Sequence, residues 1–513
     1  MEIKTTDLVS LFEKSLREIS KEQLEEIGIV IQVGDLICRV SGLSNAMYGE
    51  LVTFEGGNTG IIFNLDEDSV TVFLLHTTMP VHELEVVKRT GSVFKTPVGM
   101  GLLGRVINAL GEPIDALGTL DIKEHRPIEA VIASIIDRSP VNQSLETGIM
   151  VIDTSVPIGR GQRELIIGNR GTGKTAIALN TILHQKDQNV LCVYVSIGQR
   201  QANLARVIRL LEENDAMKYT VIVAAQASEA VLDQYIAPYV GTTIAEYFRE
   251  QGRDVLVIYD DLSNHAIAYR EMSLLMRRAP GREAYPGDVF YLHSRLLERA
   301  GKLAKGGSVT ALPIVQIQGD DISAYIPTNL ISITDGQVFL DTQLFNQGVR
   351  PAVNVELSVS RVGGAAQTKA IKKMTKALRL ELAQYHELLD FAQFGTELDE
   401  VSQKKLARGA IAMELLKQSE HESYTFVDQV LMLFLLNKNL LDSLPLEQVR
   451  PFATQFVSYV RSVYPALYEV IRVSEDVLPE TEEKLTEIAH GFSSIFKPME
   501  VHESLPNINT LIS

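Results

Sequence analysis

The spacing of apolar positions changes several times along the chain. Residues 7–20 set Leu8, Leu11, Phe12, Leu16 and Ile19 at helical spacing, behind Thr6 and Asp7, which suit an N-cap. This predicts one amphipathic helix ahead of a β region, either docked on a partner or packed in the ordinary way. From residue 27 to 94 the pattern shortens. Ile27–Val33, 36–40, Glu50–Phe54, 60–63 and 69–75 are β-rich runs separated by Gly, Asn and Asp. They predict a small β-barrel or sandwich. From Pro97 glycines recur, and apolar runs at 190–195, 220–225 and 254–259 alternate with helical patterns. That alternation predicts an α/β unit with a largely parallel, buried sheet, reaching about residue 371. Beyond it the β runs stop, and 370–389 and 404–417 carry long helical patterns. The expectation is a multidomain α/β chain: an N-terminal helix (1–26), a β-barrel (27–94), an α/β domain (95–371) and an α-helical domain (372–513).

Length agrees, since 513 residues suggest about three domains. With 45% hydrophobic and 22% charged residues the composition is that of an ordinary soluble chain. The net charge of −17 argues against a nucleic-acid surface, which needs clustered Lys and Arg. Cys38 and Cys192 lie far apart in apolar runs, which predicts buried reduced thiols rather than a disulfide. Residues 1–7 are too polar for a targeting peptide, and no apolar run approaches the length of a membrane helix. The chain is therefore expected to stay on the cytoplasmic side.

The chemistry concentrates at Gly168, Asn169, Arg170, Gly171, Thr172, Gly173, Lys174 and Thr175. They match the phosphate-binding loop G-x-x-x-x-G-K-[ST] at every fixed position, between a strand-like run (165–167) and an alanine-rich helical stretch. Glycines there let backbone N–H groups curl round phosphates, and the helix N-terminus adds partial positive charge. Lys174 is placed to reach the β- and γ-phosphates, and the Thr175 hydroxyl to hold Mg²⁺. A second signal is the apolar run 255–259 ending in Asp260 and Asp261. It puts a carboxylate at a strand's C-terminal edge, where Asp260 can hold the Mg²⁺ or its waters, while Asp261 reads better as a helix cap. Hydrolysis also needs a group that orients or deprotonates water. The position after the next strand holds Gln199, an amide that accepts no proton at neutral pH. Some NTPases orient water with Gln, so this lowers the odds of catalysis without excluding it. Arg361, before Gly363-Gly364, is either a structural carboxylate partner or an arginine that reaches a γ-phosphate in a neighbouring subunit.

Longer blocks narrow the field. Residues 157–164 (PIGRGQRE), 258–263 (IYDDLS), 280–288 (PGREAYPGD), 293–299 (HSRLLER), 333–337 (ITDGQ) and 360–368 (SRVGGAAQT) resemble the alpha-subunit family of F-type ATP synthases over nearly the full length. The resemblance implies a RecA-like central domain, and three alpha and three beta subunits alternating in a head around a gamma shaft. The N-terminal helix would meet delta and the peripheral stalk. The complex would sit on the cytoplasmic face of the bacterial plasma membrane and couple to H⁺ or Na⁺ flow. It implies ATP or ADP with Mg²⁺ at non-catalytic alpha sites, with chemistry on beta. Gln199 fits that division, because beta carries the catalytic Glu at the matching place. Arg361 falls on the family's arginine finger, acting in trans on beta. Arg350, Pro351 and Gln418 match residues near the adenine. Departures are Asn169 for the usual Asp, Gly171 for the usual Gln, Glu420 for a second Gln near the adenine, and the stretch 81–85 in place of a glycine-containing turn. They bear on the affinity of the non-catalytic site and suggest a divergent or second-copy synthase. Two alternatives stand beside this reading. A self-sufficient hexameric export-type ATPase would need Glu at position 199. An RNA-translocating hexamer would need a basic, aromatic-rich barrel, which residues 27–94 lack.

Overall fold

The computed structural model describes residues 26–76, 79–393, 399–420 and 422–496. The helix expected over 7–20 lies outside them. The described chain forms two units. One is the barrel through Lys95 together with Glu271–Ala279; the other covers Thr96–Arg270 and the chain from Pro280 on.

The barrel closes from six antiparallel strands: β1 (Ile27–Val33), β2 (Ile37–Ser41), β3 (Glu50–Phe54), β4 (Thr59–Leu65), β5 (Ser69–His76) and β6 (Val86–Val93), in the order β1-β2-β5-β4-β3-β6. Alternation puts Val30, Val40, Val52, Ile62, Val72 and Val87 inside with no measurable exposure. Cys38 is buried among them and unpaired. The sequence pattern shows only five of these strands. In β6 the residues Lys88, Arg89 and Gly91 break the apolar alternation, yet its backbone pairs with both β1 and β3 and removes the open edge. The divergent stretch 81–85 is a turn tied into the barrel. Leu84 N–H donates to Val30 O (2.8 Å), and the Glu85 carboxylate accepts from Gly56 N (2.9 Å). Leu84 takes φ 72°, a conformation glycine adopts without strain.

The second unit holds a sheet built on β7 (Val106–Asn108), β8 (Leu165–Asn169), β9 (Val190–Gln199), β10 (Thr220–Gln226), β11 (Asp254–Asp260), β12 (Ser308–Ile317), β13 (Gly336–Leu340) and β14 (Val359–Ser360). Their order is β14-β13-β8-β12-β11-β9-β10-β7. Every neighbouring pair along this path is parallel except β13–β14. Such strands are buried on both faces, which is why they read as continuous apolar runs. The strand that seemed to stop at residue 195 continues to Gln199. It carries a bulge that leaves Gly198 unpaired against β10, and this re-aims Gln199. Helices of this unit include α1 (Lys174–His184), α2 (Gln201–Glu213), α3 (Val231–Glu250) and α4 (Leu262–Leu275).

The C-terminal part is helical: α5 (Leu378–Gln393), α6 (Glu400–Leu416), α7 (Phe426–Asn437), α8 (Leu446–Val463), α9 (Pro465–Ser474) and α10 (Pro479–Ile495). The pattern at 370–389 is not one helix. Lys369–Met374 is a separate short helix, and Leu378 N–H turns back to Thr375 O (3.1 Å). Ala370, Ile371, Met374, Leu378 and Leu382 are all buried at helical spacing, so periodicity cannot reveal the break. Apolar packing runs unbroken from Ile166 and Ile177 of the α/β part to Phe434 and Phe456 of the helices. Helix α7 starts with a capping box, Thr425 with Asp428. Thr425→Ala is expected to lower stability by about 1 kcal/mol, read as a lower denaturant midpoint at unchanged m-value. Among the described residues no helix is long and apolar enough to cross a membrane.

Candidate nucleotide site

The phosphate loop joins β8, a strand paired in parallel on both sides, to α1, a helix whose N-terminal N–H groups point into the loop. Gly171 has φ 82° with open space around its Cα, so a side chain here would have room but a strained backbone. Asn169 locks the loop from the side. Its Nδ2 donates to Asp320 Oδ1 (2.9 Å) and Thr342 Oγ1 (2.8 Å), and its Oδ1 accepts from Asp320 N (3.2 Å). Thr172 Oγ1 donates to Asn169 O (2.8 Å). Lys174 is buried. Its ammonium donates to the carbonyls of Gly168 (2.9 Å) and Asn169 (2.6 Å), which carry no full charge. Burial pushes the Lys174 pKa down to about 8, against the pull of Asp261 and Asp260. A buried cation with this surrounding fits an anionic phosphate.

Asp260 ends β11, two strands from the loop strand, and is 3% exposed. It collects three side chains: Thr175 Oγ1 (2.8 Å), Tyr194 OH (2.7 Å) and Gln199 Nε2 (3.2 Å) all donate to its carboxylate. Burial raises the Asp260 pKa. Asp261 does the capping expected of it, accepting from Asn264 N (2.8 Å) at the start of α4. Burial, then the neighbouring Asp260 charge, raises its pKa to about 7. Thr175 and Asp260 present hard oxygen donors within one hydrogen bond of each other. Mg²⁺ needs few protein ligands when phosphate and water supply the rest, so the pair fits that ion. Gln199 offers this cluster N–H groups and no proton acceptor.

A cleft of about 500 Å³ opens from the loop. Gly171, Thr172 and Gly173 line its phosphate end; Phe345, Arg350, Pro351, Gln418 and Glu420 line the far end. The structure thus gathers Arg350, Pro351 and Gln418 beside the loop. Arg350 lies over the Phe345 ring, 4.7 Å from its centroid. Gln418 is buried and committed to backbone: Nε2 donates to Gly148 O (2.7 Å) and Glu422 O (2.6 Å), while Oε1 accepts from Met150 N (3.0 Å). Its amide therefore shapes the wall and has no N–H left for a base. Glu420 is exposed on the rim. Arg450, also on the rim, is paired with Glu422 (2.7 Å).

Arg361 stands apart from this cleft. It follows β14, its N–H donates to Asp335 O (2.9 Å), and its side chain is exposed. Sequence reading missed Tyr194, whose hydroxyl braces Asp260 but whose strand pattern reads as plain core. It also missed Phe345, five residues before Arg350, and Ile149 and Arg450, which reach the cleft from distant segments. Only Phe345 has a sequence signal, its closeness to Arg350.

The chain matches the ATP synthase alpha/beta family in three parts: the beta-barrel domain over residues 23–91, the nucleotide-binding domain over 148–360 and the C-terminal domain over 367–492. It is 53% identical over 489 residues to ATP synthase subunit alpha of Caldanaerobacter subterraneus subsp. tengcongensis, covering 94% of this chain and 97% of that one. The alpha subunit of Acetivibrio thermocellus is 55% identical over 477 residues, 92% and 94% of the two chains. That of Aquifex aeolicus is 49% identical over 496 residues, 96% and 99%.

Proposed function

The chain belongs to the alpha-subunit family of F-type ATP synthases, and from that premise we propose that its own nucleotide site binds without hydrolysing, while Arg361 serves a neighbour's chemistry. The observation that carries the first half is Gln199. It donates to Asp260 at the place where a water-activating carboxylate would be needed. The loop backbone and Lys174 would bind the β- and γ-phosphates, and Arg350, Pro351 and Gln418 would form the wall for adenine. Thr175 and Asp260 would hold Mg²⁺, which neutralises phosphate charge when bound. ATP or ADP then acts as a bound anchor in the head.

The second half is supported by the exposed Arg361, held by its backbone and free to extend. In an alternating ring with beta it would reach the catalytic site across the interface and stabilise charge on the transferring phosphoryl group. The ring would surround gamma, meet delta and the peripheral stalk, and sit on the cytoplasmic face of the membrane through the ion-translocating sector. The division of the chain at 26/27, 94/95 and 371/372 belongs to the same reading.

The test is ATP hydrolysis by the purified chain alone and by the complex reconstituted with beta and gamma. The reading expects binding without turnover in the first and turnover in the second. Turnover by the isolated chain at the rate of the complex would end it. Glu420 gives a second measurement. Its charge adds repulsion against the triphosphate, about 1 kcal/mol across solvent. Glu420→Gln is therefore expected to tighten Mg-ATP binding about fivefold in Kd, the gain shrinking at high salt; unchanged or weaker binding would remove Glu420 from the site's energetics.

A further inference from the structure

A fully buried carboxyl lies under the base of Arg361. Glu164 precedes β8 and has no exposed surface. Its Oε2 accepts from Gln162 Nε2 (2.7 Å), whereas Oε1 is buried with no hydrogen-bond partner. The same Gln162 Nε2 donates to Ser360 Oγ (3.1 Å), on the residue before Arg361. Ser360 Oγ donates to Pro157 O (2.6 Å) and accepts from Gly363 N (3.1 Å). The strand pair above is pressed onto the carboxyl. Gly336, paired with Ser360, could not carry a Cβ, which would fall 2.7 and 2.9 Å from the two Glu164 oxygens.

An unpartnered buried oxygen is costly, and a carboxylate with one hydrogen bond more so. The charged groups facing Glu164 are Asp335, which repels its ionised form, and Arg361, which attracts it. Arg163, next in the chain, is already taken: Nη2 and Nε bind Asp335 (2.9 and 3.0 Å) and Nη1 binds Glu298. Among the described residues that leaves Arg361 as the cation able to answer Glu164.

We propose that Glu164 is a positioning residue for Arg361, competing for its guanidinium with the phosphate in the neighbouring subunit's site. The inference rests on the arginine reading above. In the withdrawn pose the guanidinium donates to the open Glu164 oxygen and the carboxyl is ionised. In the extended pose the guanidinium is on the neighbour's phosphate. Glu164 is then left alone in a buried site beside Asp335, and it takes up a proton. Burial raises its pKa well above the ordinary carboxyl value, which supports the protonated extended state. The sign follows: extension binds a proton, so it is favoured at low pH and lost as pH rises through the Glu164 pKa. Gln162 couples the carboxyl to Ser360 and keeps the base of Arg361 fixed while its side chain moves.

The experiment compares pH profiles of ATP turnover for complexes assembled with wild type, Glu164→Gln and Arg361→Ala. The amide keeps the acceptor for Gln162 and carries no charge. The expected result is an alkaline decline in wild type, approaching tenfold per pH unit, that is flattened in Glu164→Gln. Adding Glu164→Gln to Arg361→Ala should change nothing further. If Arg361→Ala retains normal turnover, the arginine reading itself fails. If Arg361→Ala loses turnover but the Glu164→Gln profile keeps the wild-type shape, lowered evenly or not at all, Glu164 is structural and this inference fails. Should Glu164→Gln not assemble, calorimetry of ADP-fluoroaluminate binding in two buffers of different ionisation enthalpy reads the same proton. Greater proton uptake in wild type than in Arg361→Ala is expected; equal uptake overturns the inference.

Discussion

Arg361→Ala is expected to lower ATP turnover of the assembled complex by about 10³-fold or more, while Mg-ATP binding to this chain and assembly stay near normal. A factor of 10³ corresponds to about 4 kcal/mol of lost transition-state stabilisation. The size follows from when the interaction is made. A guanidinium that meets charge developing on the transferring phosphoryl group acts in the transition state and little in the ground state. The loss should therefore fall on kcat rather than on KM. The structure gives reasons why binding and assembly should survive. The arginine side chain is exposed, and the backbone N–H that holds it to Asp335 is untouched by the substitution. Arg361→Lys should recover little, because an ammonium lacks the planar fork that meets two phosphoryl oxygens together. Steady-state turnover measured beside equilibrium nucleotide binding separates these outcomes, and near-normal turnover in Arg361→Ala would remove the assignment.

Lys174→Ala should produce the opposite pattern. Its ammonium rests on two loop carbonyls and is the buried cation of the loop. Exchanging those contacts for phosphate oxygens gains charge-assisted hydrogen bonds worth about 3 kcal/mol, so the variant should bind Mg-ATP on the order of a hundredfold more weakly. Turnover of the complex should be partly retained, since the nucleotide lost is not the one hydrolysed. Equilibrium binding to the purified variant and turnover after reconstitution make the check. A variant that still binds normally would remove Lys174 from the binding of the phosphates, and one in which turnover vanishes completely would place chemistry at this loop instead. The two substitutions thus dissociate binding from catalysis in opposite directions.

Much of this could be read from the residues, for physical reasons. Strands buried on both faces write themselves as continuous apolar runs, so β9, β10 and β11 were visible. Strand β6 was not, because a strand defined by backbone pairing on both sides tolerates Lys88 and Gly91 at exposed positions and Arg89 paired with the buried Glu50 (2.9 Å). The apolar run of β9 stops at Val195, but the strand continues to Gln199 through a bulge at Gly198 that turns Gln199 onto Asp260. The juxtaposition of Thr175 with Asp260 was legible, since both sit at fixed places on neighbouring loop and strand ends. The cleft's far wall was legible only through resemblance, which supplied Arg350, Pro351 and Gln418 as residues near adenine. What no sequence pattern could show is that the Gln418 amide is fully occupied by Gly148, Met150 and Glu422. Glu164 was similarly hidden. It stood within a block that carried the family resemblance, and only the packing of Gly336 and Ser360 over it shows a buried carboxyl beside Arg361.

The central claim is that nucleotide held by this chain is not the nucleotide that reacts. It is tested most directly by loading the purified full-length chain with γ-labelled Mg-ATP, removing free nucleotide and following the bound label over hours. The account predicts that the label stays as ATP on the chain, with no phosphate released beyond the uncatalysed background. Release of labelled phosphate at the turnover rate of the assembled complex would contradict it.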